Sequence, residues 1–248
     1  MFIKALYSTI IDSLFPASPA EQEVLSYAPE EAFKELPPAP SFTGHTVPLP
    51  EARSIFAYRD ERVKQLVWRV KYKKDPRAIA IGGYALWATM TTSKERGSEG
   101  RFGASEGERE PAARPAGRDG VSRGPLSLPV VIIPMPITQK RRNERGFNQC
   151  ELLVDEIKAR DTDNRFIIEK GLLLRIQHAS RQTLKDRSER LESAKGIFAV
   201  NDEVTQKFKD SRVVVIDDVI TTGSTMREAI DALKKAGFEN VSGLSLAH

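Results

Sequence analysis

Apolar residues along the chain fall into short blocks whose spacing switches between the helical and the extended period. Val63, Leu66, Val67 and Val70 recur at i, i+3, i+4 and i+7, which predicts an amphipathic helix over 60–73. A second helix is expected over 77–91, weakened by Gly82 and Gly83. Residues 130–133 are a continuous β-branched run, the pattern of a strand buried on both faces. Helical spacing returns at Cys150, Leu153, Val154 and Ile157. Short strands are expected at 166–168 and 172–174, and a buried strand at 213–216. A helix carrying Met226, Ala229, Ile230 and Leu233 follows, which Gly237 can end, and then a last strand over 241–246. Strands that alternate with helices predict an α/β protein with a largely parallel sheet.

Two stretches carry no such pattern. Eight of the 15 prolines lie in residues 1–50, so the short apolar helix expected over 2–15 should give way to a poorly ordered Pro/Glu/Ala-rich arm. Seven of the 16 glycines lie in 93–125, where charges alternate in sign and large apolar residues are nearly absent. Such a segment cannot bury enough surface to offset its ordering entropy, and it reads as a disordered insertion. The expected organisation is an arm over 1–51 and one domain over 52–248, interrupted at 93–125.

Composition narrows the class. Hydrophobic residues at 40% and charged residues at 29% describe a soluble globular chain. No apolar run approaches the roughly 20 residues of a membrane-spanning helix, and the opening stretch lacks a small-residue cleavage site. A cytoplasmic location is the expectation. The single cysteine, Cys150, excludes an internal disulfide framework or a cysteine-based zinc cluster, and its place on an apolar helix face reads as core. The net charge of +4 is concentrated. Segment 138–149 holds four basic residues and one acid, and segment 165–195 holds eight basic residues and four acids.

The most informative segment is VVVIDDVITTGST at 213–225. It reads as a strand, two acids, a short connector and a hydroxyl-rich glycine loop that opens a helix. Asp217 and Asp218 stand at the carboxyl end of the strand, where parallel sheets bind ligands. Thr221, Thr222, Gly223, Ser224 and Thr225 surround a helix N-terminus, whose free N–H groups and dipole attract an anion. Carboxylates repel phosphate but accept hydrogen bonds from sugar hydroxyls, so the layout suits a 5-phosphorylated ribose. Two other readings stay open: Thr225 and Glu228 match a capping box that needs no ligand, and the acid pair could hold a metal. No G-x-x-x-x-G-K-[ST] motif is present. Arg141, Arg142 and Arg145 follow a strand end and could receive pyrophosphate, or form a solvated basic loop. Gly146, Phe147, Asn148 and Gln149 look like a built turn with an N-cap. In the third segment, Arg181 and Arg190 belong to a basic loop suited to close over a polyphosphate, or to an exposed charged helix; His178 is left without a role.

Segment 213–225 resembles the PRPP (phosphoribosyl pyrophosphate) motif of type I phosphoribosyltransferases. With the stretch from Tyr58 to Lys71, the R-G-F-N-Q run at 145–149, and Arg181, Gln182, Leu184, Arg190 and Phe198, the chain is similar to the ComF/GntX family. The resemblance implies a parallel sheet flanked by helices with a flexible loop over the site. It implies that Asp217 and Asp218 contact the ribose, that residues 221–225 hold the 5-phosphate, and that Mg²⁺ is held mainly through PRPP with no direct protein ligand. The implied reaction displaces pyrophosphate from C1 of PRPP with a nitrogen acceptor. Asp217 or Asp218 would stabilise charge on the ribose, and Mg²⁺ with Arg141, Arg142 or Arg145 would stabilise the leaving group. Leu14, Phe15 and Pro16 match the start of the family's zinc ribbon, but no cysteine follows them and no zinc is expected. Rival expectations are a non-catalytic protein of DNA uptake or competence that contacts single-stranded DNA, and a PRPP-sensing regulator. Phe147 is the sole aromatic residue in segment 138–149, which favours small phosphorylated ligands over single strands. A homodimer is compatible with any of these.

Overall fold

Alternation along the central strands sorts their side chains onto two faces, and each face carries its own layer of helices. The structure, a computed structural model, describes residues 17–40, 49–92, 128–176 and 196–248. Strands β1 (Ala52–Phe56), β2 (Val130–Pro134), β3 (Phe166–Ile168), β6 (Arg212–Val219) and β7 (Val241–Ala247) form one parallel sheet in the order β1-β7-β6-β2-β3. Strands β4 (Leu173–Arg175) and β5 (Phe198–Val200) make a separate antiparallel pair.

Ile132, Val214, Ile216, Leu244 and Leu246 face a layer built from α3 (Glu61–Trp68), α4 (Pro76–Thr92) and α6 (Gln149–Arg160). Val131, Ile133, Val213, Val215 and Val241 face α8 (Ser224–Lys235), with Phe198 and with Phe208 of α7 (Asp202–Phe208). Each fully buried aliphatic side chain contributes about 1.5–3 kcal/mol, so two filled faces fix the register of the whole sheet. From β2 the chain runs outward to β3 at one edge, and from β6 it runs to β7 on the other side. The neighbours β2 and β6 are therefore where the winding reverses, and a crevice opens beyond their carboxyl ends.

Most expected elements are present, including the α/β class with its parallel sheet. Several details differ. The arm is not loose over its described part: α1 (Pro19–Ser26) and α2 (Pro29–Glu35) bury Val24 and Ala32 in the same core as Phe56 and Val63. Two of the prolines that suggested disorder, Pro19 and Pro29, stand at the first helical positions, where a missing N–H costs nothing. Strand β1 and helix α7 carry too few periodic positions to be read from spacing. The basic segment forms a short helix, α5 (Gln139–Arg145), capped by Thr138 and ended by Gly146 at φ +79°. The helix expected over 60–73 turns into a π-helical turn at Arg69–Lys73, closed by Lys74 at φ +50°. The helix expected over 2–15, the insertion 93–125, His178, Arg181 and Arg190 lie outside the described residues.

Gly82 and Gly83 do not weaken α4; they let it approach α6. A Cβ on Gly83 would stand 2.3 Å from Cγ and 2.5 Å from Cβ of Glu156. Alanine gains about 1 kcal/mol of helix propensity over glycine, but overpacking costs about 1–3 kcal/mol. Gly83→Ala is therefore expected to destabilise the fold by up to about 2 kcal/mol in urea denaturation. A stabilised variant would contradict the close helix contact.

Candidate functional site

A cleft of about 380 Å³ lies at the carboxyl ends of β2 and β6. Pro134 pairs with Ile216 in the sheet, so the loop 135–137 leaves β2 beside Asp217 and Asp218. That loop is tied down from both sides. Met135 N–H donates to the Ile216 carbonyl at 2.8 Å, and buried Asn148 donates from Nδ2 to the Met135 carbonyl at 3.0 Å. The Asn148 Oδ1 also accepts from Cys150 N–H at 3.0 Å and so caps α6. The R-G-F-N-Q turn thus fixes the cleft floor.

At the anion end, β6 continues through both acids, and 220–223 turn into α8. Gly223 stands at the N-cap with φ +79°, in left-handed backbone that glycine adopts without strain. The N-cap residue has no side chain to cap this helix. Thr225 is already its second residue, so the expected capping box does not form; Glu228 accepts instead from Ile197 N–H at 3.4 Å. The Thr222 and Ser224 hydroxyls lie 3.0 Å apart at the same end. The Ser224 N–H reaches the Thr222 hydroxyl at 3.4 Å; the following N–H groups, the helix dipole and the clustered hydroxyls suit an anion of phosphate size.

Strand alternation gives the two acids different neighbours. Asp218 is buried, 3% exposed, with Gln149 Nε2 at 3.4 Å from Oδ1 and Lys71 Nζ at 2.9 Å from Oδ2. The lysine contact lies outside hydrogen-bond geometry, so Oδ2 is charge-compensated while keeping an unfilled acceptor site. Burial acts most strongly and would lower the Lys71 ammonium, but the charge and close contact of Asp218 and the charge of Asp217 together outweigh it, and the net displacement is upward. Asp217 accepts from Asp218 N–H at 2.9 Å and from the Cys150 thiol at 3.5 Å. Burial first, then the charge of Asp218, push its carboxyl up to about 8. Burial and the two acids hold the Cys150 thiol well above its usual range, in keeping with its reading as an inert core residue.

The sequence-predicted arginines separate. Arg141 and Arg145 line the cleft, four residues apart on one face of α5. Arg142 is rotated about 100° from Arg141; it pairs with Glu151 and does not line the cleft. Arg175, at the end of β4, joins the lining instead. Burial and then the charge of Arg141 depress its guanidinium, a repulsion that a bound anion would relieve.

Lys71, Tyr58 and Tyr72 also line the cleft, and spacing gave them no site role. The signal was the Tyr58-to-Lys71 segment itself, which the family pattern contains. The π-helical turn aims Lys71 inward while burying Val70. Tyr72 and Trp68 then stand beside the basic helix, which corrects the view that Phe147 alone accompanies it.

A family model for the phosphoribosyl transferase domain matches residues 175–246. The chain is 36% identical over 134 residues to Competence protein F of Haemophilus influenzae, covering 52% of this chain and 55% of that protein. It is 31% identical over 107 residues to Competence protein ComFC of Bacillus subtilis, covering 43% and 39%. It is 32% identical over 116 residues to DNA utilization protein YhgH of Escherichia coli O6:H1, covering 47% and 48%. The chain spans about half the length of the curated relatives it matches.

The acid pair carries a stability signature. The carboxyl of Asp217 is raised in the folded state above its unfolded value of about 4. The stability tied to its protonated form is complete below that value and is lost as pH rises through about 8. The amide introduced by Asp217→Asn cannot ionise and still accepts the Asp218 N–H. The stability of this variant relative to wild type, read from urea midpoints, should rise between pH 5 and 9 by on the order of 1 kcal/mol or more. A flat difference would remove the burial of charge inferred for this residue.

Proposed function

Because the chain belongs to the ComF-type, phosphoribosyltransferase-like family, we propose that its cleft binds PRPP with Mg²⁺ and transfers the phosphoribosyl group to a nitrogen acceptor with release of pyrophosphate. The observation that carries this reading is one cleft that holds an uncapped glycine-opened helix N-terminus, two adjacent carboxylates and a pair of cationic side chains, Arg141 and Arg175.

The 5-phosphate takes the 221–225 cradle. Asp217 and Asp218 accept from the ribose hydroxyls, which supply the donors that Asp218 Oδ2 lacks. As the bond from C1 to pyrophosphate breaks, positive charge grows on the ribose ring and negative charge on the leaving group. The acids stabilise the first, and Arg141, Arg145 and Arg175 stabilise the second; donors fixed by the fold need no reorganisation during reaction. Arg142 takes no part in this scheme because Glu151 holds it.

The residues present fit Mg²⁺ in a limited way. Two hard carboxylates suit a hydrated cation held chiefly through the oxygens of the ligand. When bound with PRPP, Mg²⁺ would neutralise charge on the departing pyrophosphate.

The printed names of the relatives favour a second reading: a non-catalytic role in DNA uptake or use, in which PRPP is bound and not turned over. Two measurements separate the readings. Calorimetric titration with PRPP and Mg²⁺ should show binding that is abolished in the double variant Asp217→Asn, Asp218→Asn, and weakened roughly ten-fold or more in Arg175→Ala, the worth of a charged hydrogen bond. Unchanged affinity in the double variant would sink the site assignment. Pyrophosphate release across a panel of purine and pyrimidine bases marks the enzyme; binding without release marks the sensor.

A further inference from the structure

Among the described residues, three glutamates of the arm each meet an arginine of the domain. Glu23 pairs with Arg62 at 2.9 Å, Glu30 with Arg160 at 3.9 Å, and Glu21 with Arg69. The first two acids are half-exposed, and such pairs contribute little. Glu21 differs. It is only 8% exposed on α1, and Arg69 donates to it from Nε while donating from Nη1 to Asp75 Oδ2 at 3.2 Å. Arg69 is also the first residue of the π-helical turn, and its carbonyl accepts from the Lys74 N–H, one residue beyond the α-helical span. Asp75 in turn caps α4, accepting from Arg77 N–H at 2.9 Å. One side chain thus ties the arm, the turn and the next helix together. It stands two positions before Lys71, whose ammonium lies 2.9 Å from Asp218 Oδ2.

We propose that Arg69 is a positioning residue of the cleft and that Glu21 sets it, which makes the arm a working part of ribose recognition. This rests on the phosphoribosyl reading of the cleft, and it adds two residues that do not line the cleft. A π-helical turn is rare, so contacts from outside the helix have to hold it. The fork of Arg69 does so from two sides, with one acid on the arm and one ahead of α4. If the turn relaxed to α-helical bonding, the residues after Arg69 would leave the axis at other angles, and Lys71 would no longer face Asp218. A buried carboxylate beside a second one would then lose its compensating charge and become a poorer acceptor for ribose hydroxyls. The loss falls on ligands that use Asp218. It spares those held by cationic side chains and the helix end alone.

Glu21→Gln and Glu23→Gln remove the same charge two residues apart on α1, so together they separate the Arg69 route from a general loosening of the arm. In calorimetry, Glu21→Gln should bind ribose 5-phosphate about five-fold more weakly than wild type, the scale of coupling through a packed network. Glu23→Gln should match wild type. Inorganic pyrophosphate should bind Glu21→Gln and wild type alike. Lys71→Met should also weaken ribose 5-phosphate, and adding Glu21→Gln to it should cost nothing more, because both act through one contact. Thermal denaturation checks that the variants fold. If Glu21→Gln does not, Arg69→Lys takes its place with the same expectation, since a lysine keeps the charge but cannot fork between two acids. If wild type binds ribose 5-phosphate and Glu21→Gln binds it equally well, or Glu23→Gln weakens it as much, the role of Arg69 is overturned while the phosphoribosyl reading stands. Additive losses with Lys71→Met, or an equal loss of pyrophosphate binding, mark a merely structural contact and overturn it too. If wild type does not bind ribose 5-phosphate, both fall.

Discussion

Two carboxylates in succession at the end of a buried strand cannot both be charged without compensation, and the architecture around them answers that constraint. Lys71 supplies the compensating charge to Asp218. Asp217 has no ion-pair partner of its own among the described residues and is pushed towards its neutral form. Breaking a buried pair by removing one partner is more costly than the pair is worth, so the position of Lys71 has to be secure. The π-helical turn that delivers it is held by Arg69, which binds both Glu21 of α1 and Asp75 ahead of α4. The arm therefore supports the electrostatics of the cleft from the far side of α3.

The same logic accounts for the cationic wall. Arg141 and Arg175 come from elements that are distant in sequence, and neither forms an ion pair with a carboxylate among the described residues. Their mutual repulsion is a cost that a bound anion would relieve. The N-terminus of α8 likewise has no cap from its N-cap residue. Repelling cations, an incompletely neutralised acid pair and a glycine-opened helix end are the features on which the phosphoribosyl reading rests.

Much of this was legible in the sequence because it is local. The strand, acid pair and glycine loop at 213–225 form one contiguous segment, and the apolar alternation of 130–133 and 213–216 sets which faces fill. What was not legible depends on rotation and on distant contact. A charge cluster says nothing about helical phase, so Arg141, Arg142 and Arg145 looked equivalent until a capped helix turned Arg142 towards Glu151. Lys71 and Arg175 gain their roles only when β6 brings Asp218 and Asp217 beside them. The arm was misread because proline marks both a break and a helix start, and only the packing of Val24 and Ala32 distinguishes the two.

The proline-rich connector after α2 has a consequence for the solution behaviour of the sheet. Strand β1 is an edge of the five-stranded sheet, and an open edge invites another chain to add a strand. Residues 37–40 lie along it, bridging Pro38 to Phe56, with Ala39 N–H donating to Ile55 and the Pro37 carbonyl accepting from Ala57. Of these four residues, Pro37, Pro38 and Pro40 have no N–H, and the one that Ala39 has is turned inward. The outer rim of this segment offers no backbone donor to a newcomer. A segment that reads as a poorly ordered arm is thus what closes the β1 edge to a further strand, by chemistry that needs no charge and no bulk.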